Sequence, residues 1–142
     1  MHWNFQILKV SQSALIKKFS FPMTMLDAPA LVHIQSTLNN TIVTLTDIQG
    51  NTLYWASCGT AGFQNSRKST SYAAQAAAER VAQYCVSHTI KKIDVKLKGL
   101  GSFASKESSL KGFQLYGIHI LKIEDITPLA HNGCRLPKKR RL

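Results

Sequence analysis

The chain has 142 residues, 44% of them hydrophobic, which is enough for one compact domain with a modest core. Its 18 Lys and Arg residues outnumber its 7 Asp and Glu residues, and the formal net charge of +11 favours polyanionic partners, nucleic acid before an anionic membrane surface. No apolar run approaches the ~20 residues that a membrane-spanning helix needs, so a spanning protein is excluded.

Residues 1–29 have the character of an extension that precedes a folded domain. They contain three lysines, no arginine and a single acidic residue, Asp27. A mitochondrial presequence is basic and poor in acidic residues, but it is usually rich in arginine. The sequence therefore leaves two alternatives open, a cleaved presequence and a basic arm that the mature protein retains.

Three strands are predicted from residue 30 onwards. The segments ALVHIQS (30–36) and TIVTLTD (41–47) alternate and are rich in β-branched residues, and TLYWAS (52–57) continues in the same style. Asn39-Asn40 and Gln49-Gly50-Asn51 separate them, and Asn and Gly tolerate the positive φ angles of tight turns. The pattern predicts an antiparallel meander.

A glycine-containing basic loop over residues 58–70 precedes a predicted helix over 71–88. Three hydroxyl residues at the junction are candidate N-caps of this helix: Ser69, Thr70 and Ser71. Small apolar residues recur along the helix at helical spacing: Ala74, Ala77, Ala78, Val81 and Cys85. Their small size predicts a helix that lies close against a sheet.

The remaining elements are a strand over 91–99, a short helix over 107–116 and a last strand over 118–126. Gly112 is expected to weaken the second helix by roughly 1 kcal/mol relative to alanine. Gly117 is a natural residue to end it, because glycine adopts the left-handed conformation at a helix C-terminus.

The predicted order is βββαβαβ. Two right-handed crossovers that step across the sheet in the same direction place both helices on one face. The expected fold is a two-layer α/β domain of ribonuclease-H-like topology. Its mixed sheet has an antiparallel three-strand meander and two parallel strands, and the other face, partly lined by lysines of residues 92–98, stays uncovered. The chain divides into a basic extension (1–29), an α/β RNA-binding domain (30–127) and a basic tail (128–142).

Two strand-to-helix loops carry the charges of a phosphate-binding surface. In the first, Arg67 and Lys68 stand just before a helix N-terminus, whose free N–H groups and dipole favour an anion. It is not a nucleotide-binding P-loop, because Arg67 rather than glycine precedes the lysine; a solvated helix start is the plain alternative. In the second loop, Lys98 ends a strand, and Gly99 and Gly101 would permit close approach of the backbone to a ligand. Lys106 follows near the start of the second helix.

An active site cannot be assembled from the sequence. Two-metal nuclease chemistry needs converging carboxylates, but the first strand carries none, and Asp94 and Glu79 are the remaining candidates. The three cysteines lack zinc-ligand spacing, and no Ser or Cys lies in a nucleophile elbow. No cofactor or metal is expected. A membrane-surface protein would need a basic amphipathic helix, whereas the main helix is rich in alanine and has few cations.

The C-terminal segment HNGCRLPKKRRL (131–142) contains no carboxylate and five cations: Arg135, Lys138, Lys139, Arg140 and Arg141. The Asn132-Gly133 pair predicts a turn before the charges. Cations in such a tail would neutralise phosphates and make binding steeply dependent on salt.

Four segments together resemble the universal S-eleven family of small-ribosomal-subunit proteins: NNTIVTLTD, GFQNSRKSTSYAAQAAAE, KGLG and DITPLAHNGCRLPKKRRL. The resemblance extends from about His33 to Leu142. It implies a structural protein that binds the central domain of small-subunit ribosomal RNA at the platform, near the messenger exit. Its expected protein neighbours are of the S-seven, S-eighteen and S-twenty-one types.

The resemblance assigns RNA contact to residues that match the family motifs: Asn39, Asn40, Arg67, Lys68, Ser69, Thr70, Lys98, Gly99, Gly101, His131, Asn132, Gly133, Arg135, Lys138, Lys139, Arg140 and Arg141. The chain departs from bacterial members at 102–105, where SFAS replaces a Pro-Gly-Arg segment, and at Leu136, where proline is usual. Lys106 is expected to replace in part the arginine that is lost at the first departure and to contact RNA in its place. The segments ASCGT and KGLG are similar to those of mitochondrial members, which implies a mitochondrial location. The alternative to this reading is an RNA-processing enzyme on a ribonuclease-H-like sheet.

Overall fold

The computed structural model describes residues 29–135. In this part of the chain there are five strands, two α-helices and one 3₁₀ helix, and the predicted order βββαβαβ is confirmed. The elements are β1 (Ala30–Ser36), β2 (Thr41–Thr46), β3 (Thr52–Ser57), a 3₁₀ helix (Asn65–Ser69), α1 (Ser71–Ser87), β4 (Lys92–Lys98), α2 (Phe103–Leu115) and β5 (His119–Asp125).

The strands form one mixed sheet in the order β3-β2-β1-β4-β5. β1 pairs with β2, and β2 with β3, in antiparallel fashion, while β4 is parallel to both β1 and β5. β1, β3, β4 and β5 therefore run in the same direction and end at the same side of the sheet. We call this side, formed by residues 36–41, 57–70, 98–106 and 125–135, the carboxyl edge.

The hydrophobic core lies between the sheet and both helices, which occupy the same face as predicted. Val32 and Ile34 of β1 are fully buried in this core, and the stripe of small residues on α1 is also fully buried. Phe113 of α2 belongs to the same cluster. Small side chains on α1 bring the helix axis close to the sheet, which is why the alanine-rich stripe can fill the core without large residues.

The second helix begins four residues earlier than the predicted residue 107. Ser102 adopts an extended conformation and Phe103 starts the helix. Ser105 and Ser109 are the buried residues in the first half of α2. The Ser109 hydroxyl group donates to the Ser105 carbonyl over 2.9 Å. Serines do not produce an apolar helical pattern, so the sequence did not reveal that this turn is buried.

Gly112 is the point of closest approach between α1 and α2. A Cβ atom added to Gly112 would lie 3.0 Å from the Cβ of Ala78 and 3.0 Å from the carbonyl oxygen of Gln75. The cost that glycine imposes on α2 is therefore offset by tight helix packing. Gly117, with a φ of +71°, ends α2 as predicted.

The C-terminus of α1 contains a strained threonine. Thr89 has a φ of +59°, and the Ile90 N–H group donates to the Cys85 carbonyl over 2.9 Å, which closes the helix with a left-handed residue. A β-branched residue is disfavoured in this conformation. We expect Thr89→Gly to raise the free energy of unfolding by about 1 kcal/mol in urea denaturation.

The control for this prediction is Val86→Gly. Val86 is exposed and lies in the last turn of α1, where replacing valine with glycine should lower the free energy of unfolding by about 0.5 kcal/mol. Equal destabilisation by both substitutions would contradict the strain at Thr89.

The face of the sheet opposite the helices is not covered by any other part of residues 29–135. Cross-strand partners share a face, and the register directs one set of residues away from the helices. We call this surface the open face, and it includes Leu31, His33, Gln35, Ile42, Thr44, Trp55, Lys92, Asp94, Lys96, Lys98, Lys122 and Glu124. The outward position of Lys96 agrees with the predicted alternation in β4. None of the helices in the described part of the chain is long and apolar enough to cross a membrane.

Candidate RNA-binding surface

The carboxyl edge brings three predicted binding segments together. The Gly101 N–H group donates to the Ser36 carbonyl over 2.9 Å, which joins the second glycine loop to the end of β1. The Cys58 N–H group donates to the Thr41 carbonyl over 3.1 Å, which joins the first loop to the start of β2. The Asn39-Asn40 turn lies between these two attachments, so both loops and the turn form one continuous surface.

Asn40 carries an amide oxygen with unmet hydrogen-bonding capacity. Within the turn, the Asn40 N–H group donates to the Thr37 hydroxyl over 3.1 Å, and that hydroxyl donates to the Asn40 carbonyl over 2.9 Å. The Oδ1 atom of Asn40 is buried and accepts no hydrogen bond from the described residues.

The first loop presents its cations from the 3₁₀ helix, which has no buried residue. Arg67 is exposed and Lys68 is half-buried. Of the three candidate N-caps, Thr70 caps α1: its hydroxyl accepts from the Ala73 N–H group over 3.3 Å and donates to the Arg67 carbonyl over 2.8 Å. The Ser69 hydroxyl donates to a carbonyl within the loop, so both predicted hydroxyl residues also hold the loop in shape.

The glycines of the second loop approach the protein's own backbone. Gly99 has a φ of +107°, and a Cβ atom added there would lie 2.2 Å from the Ser36 carbonyl oxygen. A Cβ atom added to Gly101 would lie 2.1 Å from the Ser36 hydroxyl oxygen. The sequence suggested close backbone approach to a ligand, but in the structure these glycines allow the loop to pack against β1 beside the Asn39-Asn40 turn.

Lys106 is engaged within the protein. Its Nζ atom lies 3.3 Å from Oδ2 of Asp125, and its side chain is 14% exposed. The pKa of Asp125 lies below its ordinary value because the Thr127 hydroxyl and N–H group donate to the carboxylate and Lys106 lies beside it. Since Asp125 offsets much of the Lys106 charge, this lysine is a poor replacement for the arginine of bacterial members.

Asp125 and Thr127 fix the path by which the chain leaves the sheet. The Thr127 hydroxyl donates to Asp125 over 2.5 Å and accepts from the Gly99 N–H group over 3.1 Å. The Ile126 N–H group donates to the Leu97 carbonyl over 2.8 Å. Sequence reasoning missed both residues, although an Asp two positions before a Thr at a strand end is a recognisable turn signal.

We expect Asp125→Asn to lower stability at neutral pH and to lose this effect in acid. A carboxylate whose pKa is lowered by folding stabilises the native state above the ordinary pKa of 3.8, and this contribution disappears as the pH falls through the lowered value. The urea midpoints of the two proteins, measured from pH 6 to pH 3, should therefore converge. Glu107→Gln, which removes an exposed helical ion pair with Lys111, is the control; parallel curves for Asp125→Asn and the original chain would contradict the prediction.

The described part of the tail is exposed. Asn132 has a φ of +53°, the left-handed conformation that the predicted turn requires. His131, Gly133, Cys134 and Arg135 are likewise exposed and available to a partner. Leu136 and the four terminal cations, Lys138, Lys139, Arg140 and Arg141, lie outside the described residues, as do residues 1–28 of the N-terminal extension.

The carboxylates that a nuclease would need are separated. Asp94 points from β4 to the open face, whereas Glu79 lies on α1, on the other side of the sheet, and accepts from the Gln75 amide over 2.8 Å. Within residues 29–135, no three His, Cys, Asp or Glu side chains converge as a metal site would require. The basic residues of the surface are suited to binding an anionic polymer.

Comparison with known proteins identifies a family and related sequences. The model of the family described as Ribosomal protein S11 matches residues 30–141. The small ribosomal subunit protein uS11m of Prototheca wickerhamii is 49% identical over 129 residues, which cover 90% of this chain and 99% of that protein. Ninety per cent of the chain is about 128 residues and only 113 follow Pro29, so about 15 of the matched residues lie in the N-terminal extension.

Proposed function

Because this chain belongs to the ribosomal protein S11 family, we propose that its carboxyl edge and tail are the surface that holds the RNA of the small ribosomal subunit. The protein is a structural constituent of the mitochondrial small subunit, where it binds ribosomal RNA and other ribosomal proteins. Family membership gives no support to the RNA-processing enzyme considered as the alternative.

The observation that carries the proposal is the convergence of separate basic segments on one edge. Arg67 and Lys68 from the first loop, Lys98 from the second and Arg135 from the tail all belong to it. The acidic Asp125 at this edge is already paired with Lys106. The free cations can therefore contact phosphates, and contacts of this type fix the position of RNA without reading its sequence.

The parts of the surface have different roles. Lys138, Lys139, Arg140 and Arg141 supply attraction to phosphate that is independent of sequence. The shaped segment 131–135 determines where that charge is delivered, and the Asn39-Asn40 turn lies on the same edge beside both loops. Binding and positioning complete the function, which requires no chemical turnover.

The resemblance to the family supports a more detailed placement. On this proposal the protein binds the central domain of small-subunit RNA at the platform, close to the exit path of the messenger. Its neighbours there would be proteins of the S-seven, S-eighteen and S-twenty-one types. Chemical cross-linking of purified mitochondrial small subunits tests this placement, and cross-links confined to proteins outside this set would contradict it.

Cysteine alkylation tests whether the tail contacts RNA. Cys134 is exposed, whereas Cys58 and Cys85 are buried, and burial raises the pKa of the Cys85 thiol to about 11. Because the thiolate is the reactive form, we expect iodoacetamide to modify only Cys134 in the native free protein. Binding to small-subunit RNA should protect Cys134, as measured by mass spectrometry.

Two controls define the outcome of the alkylation experiment. Denaturant should make Cys58 and Cys85 reactive, which shows that all three thiols can be detected. Equal modification of Cys134 with and without saturating RNA would show that residues 131–135 lie outside the interface.

A further inference from the structure

The open face combines exposed apolar side chains with charges that already have partners. Trp55 is 54% exposed and Ile42 is 37% exposed, and Leu31 is half-buried near the centre of the sheet. An exposed tryptophan beside aliphatic residues on a sheet is unfavourable in water and typically marks a contact surface.

The four charged residues at the centre of this face balance one another. Lys122 forms an ion pair with Glu124, Asp94 lies opposite Lys122, and Lys96 lies opposite Glu124. Consistent with this pairing, the hydrogen bond from Lys122 lowers the pKa of Glu124. These two lysines and two carboxylates cancel, but Lys92 and Lys98 lie on the same side at the two ends of β4 and give the whole face a net charge of +2, against +11 for the chain. The centre of the face is therefore less attractive to RNA than the carboxyl edge is.

The remaining histidine of the face does not change this balance. Burial and the neighbouring Lys96 lower the pKa of His33 from its ordinary value of 6.5, so the imidazole is neutral at pH 7. An apolar polypeptide segment suits this surface better than a polyanion does.

The chain itself contains such a segment. Residues 1–28, which we call the arm, include 15 apolar residues, among them Trp3 and all three methionines, against only four charged ones. The arm joins the domain immediately before β1, the middle strand of the sheet. An extended chain advances ~3.3 Å per residue, so about seven residues match the length of a strand such as β1. The arm is long enough to cross the face from its central attachment point.

We propose that the arm binds across the open face and covers Trp55, Ile42 and Leu31 with its own apolar side chains. The relative from P. wickerhamii matches about 15 residues of the extension, which supports an arm that belongs to the working protein. The proposal separates the protein into two surfaces, a basic edge for RNA and a sheet face closed by its own arm. It does not depend on the RNA-binding role of the carboxyl edge.

Tryptophan fluorescence tests the proposal in the full-length chain. The chain has two tryptophans, so Trp3→Phe leaves Trp55 as the only reporter. In this background, we expect Trp55 to be shielded from acrylamide. Replacing four apolar arm residues with serine (Phe19, Phe21, Met23 and Met25) should raise the quenching constant several-fold and shift the emission to longer wavelength.

The matched control replaces four polar arm residues with serine: Asn4, Gln6, Gln12 and Thr24. This variant should leave Trp55 shielded. Equal, strong quenching in all three chains would overturn the proposal. Shielding that appears only at high protein concentration would assign the face to a second copy, and shielding that appears only with RNA or another ribosomal protein would assign it to that partner; each result would also overturn it.

Lysine cross-linking supplies a measurement that needs no arm substitution. Arm lysines 9, 17 and 18 should cross-link to Lys96 and Lys122 on the open face and not to Lys111, which is exposed on α2 behind the sheet. Cross-links that reach Lys111 as often as Lys96 would overturn the proposal. So would an N-terminal sequence of the protein from mitochondrial small subunits that begins near Ala30, because the arm would then be absent from the mature protein.

Discussion

Replacing all four terminal cations of the tail with glutamine is expected to weaken binding to small-subunit RNA by roughly a thousandfold at 0.1 M salt. The residues exchanged are Lys138, Lys139, Arg140 and Arg141. Each phosphate contact contributes a slope of roughly 0.7–0.9 to the dependence of log K on log salt concentration, because condensed counterions are released. The loss of four contacts should make the slope shallower by about 3, which filter binding or fluorescence anisotropy across a salt series can measure.

A matched variant distinguishes direct contact from net charge. Four exposed cations lie in the domain away from the carboxyl edge: Arg80, Lys91, Lys92 and Lys111. Their replacement with glutamine changes the net charge by the same amount but should alter the salt slope by much less. If both variants change the slope equally, the tail acts only through overall charge; an unchanged slope in the tail variant would refute its contact with RNA.

The substitution Gly99→Ala is expected to lower the free energy of unfolding by about 3–5 kcal/mol. Two effects combine at this position. A φ of +107° is unfavourable for any residue with a Cβ atom, and the new Cβ would lie 2.2 Å from the Ser36 carbonyl oxygen, a fixed backbone atom in a paired strand. Urea denaturation measures the loss, and the second loop should also move away from the Asn39-Asn40 turn.

Gly62→Ala provides the matched control for Gly99→Ala. Gly62 has a φ of +100°, so it carries nearly the same backbone cost, but no atom lies within 4 Å of its added Cβ. We expect a loss of about 1–2 kcal/mol for this variant, which isolates the clash with Ser36 as the remainder. Equal losses in the free energy of unfolding for the two substitutions would show that the second loop is not tightly packed against β1.

The sequence predicted helices and strands well wherever their buried residues are apolar and recur at helical or strand spacing. The alternation in β1 and the alanine stripe of α1 report directly which side chains face the core, and both were confirmed. The start of α2 was predicted incorrectly because Ser105 and Ser109 are buried polar residues. Their burial depends on a neighbouring helix, which a local pattern does not contain.

The sequence also predicted some features of the RNA-binding surface and missed others. The cations of both loops and the common edge followed from the order of strands and helices, because parallel strands end on the same side of a sheet. The ion pair of Lys106 with Asp125 did not follow, since the two residues are 19 positions apart and meet only after α2 packs beside β5. The sequence assigned Lys106 to RNA because of its charge, its position after the second loop and the arginine that is missing there.

By itself, the sequence determined the charge of the protein, the order of its elements, the family motifs and the basic character of its tail. These are properties of composition and short-range spacing, which do not require knowledge of what packs against what. Only the tertiary structure decided that Gly99 and Gly101 are held against Ser36, that Thr127 secures the start of the tail, and that the charges at the centre of the open face are paired. Each of these depends on contacts between residues far apart in the chain, whose distances are set by how the helices and strands pack.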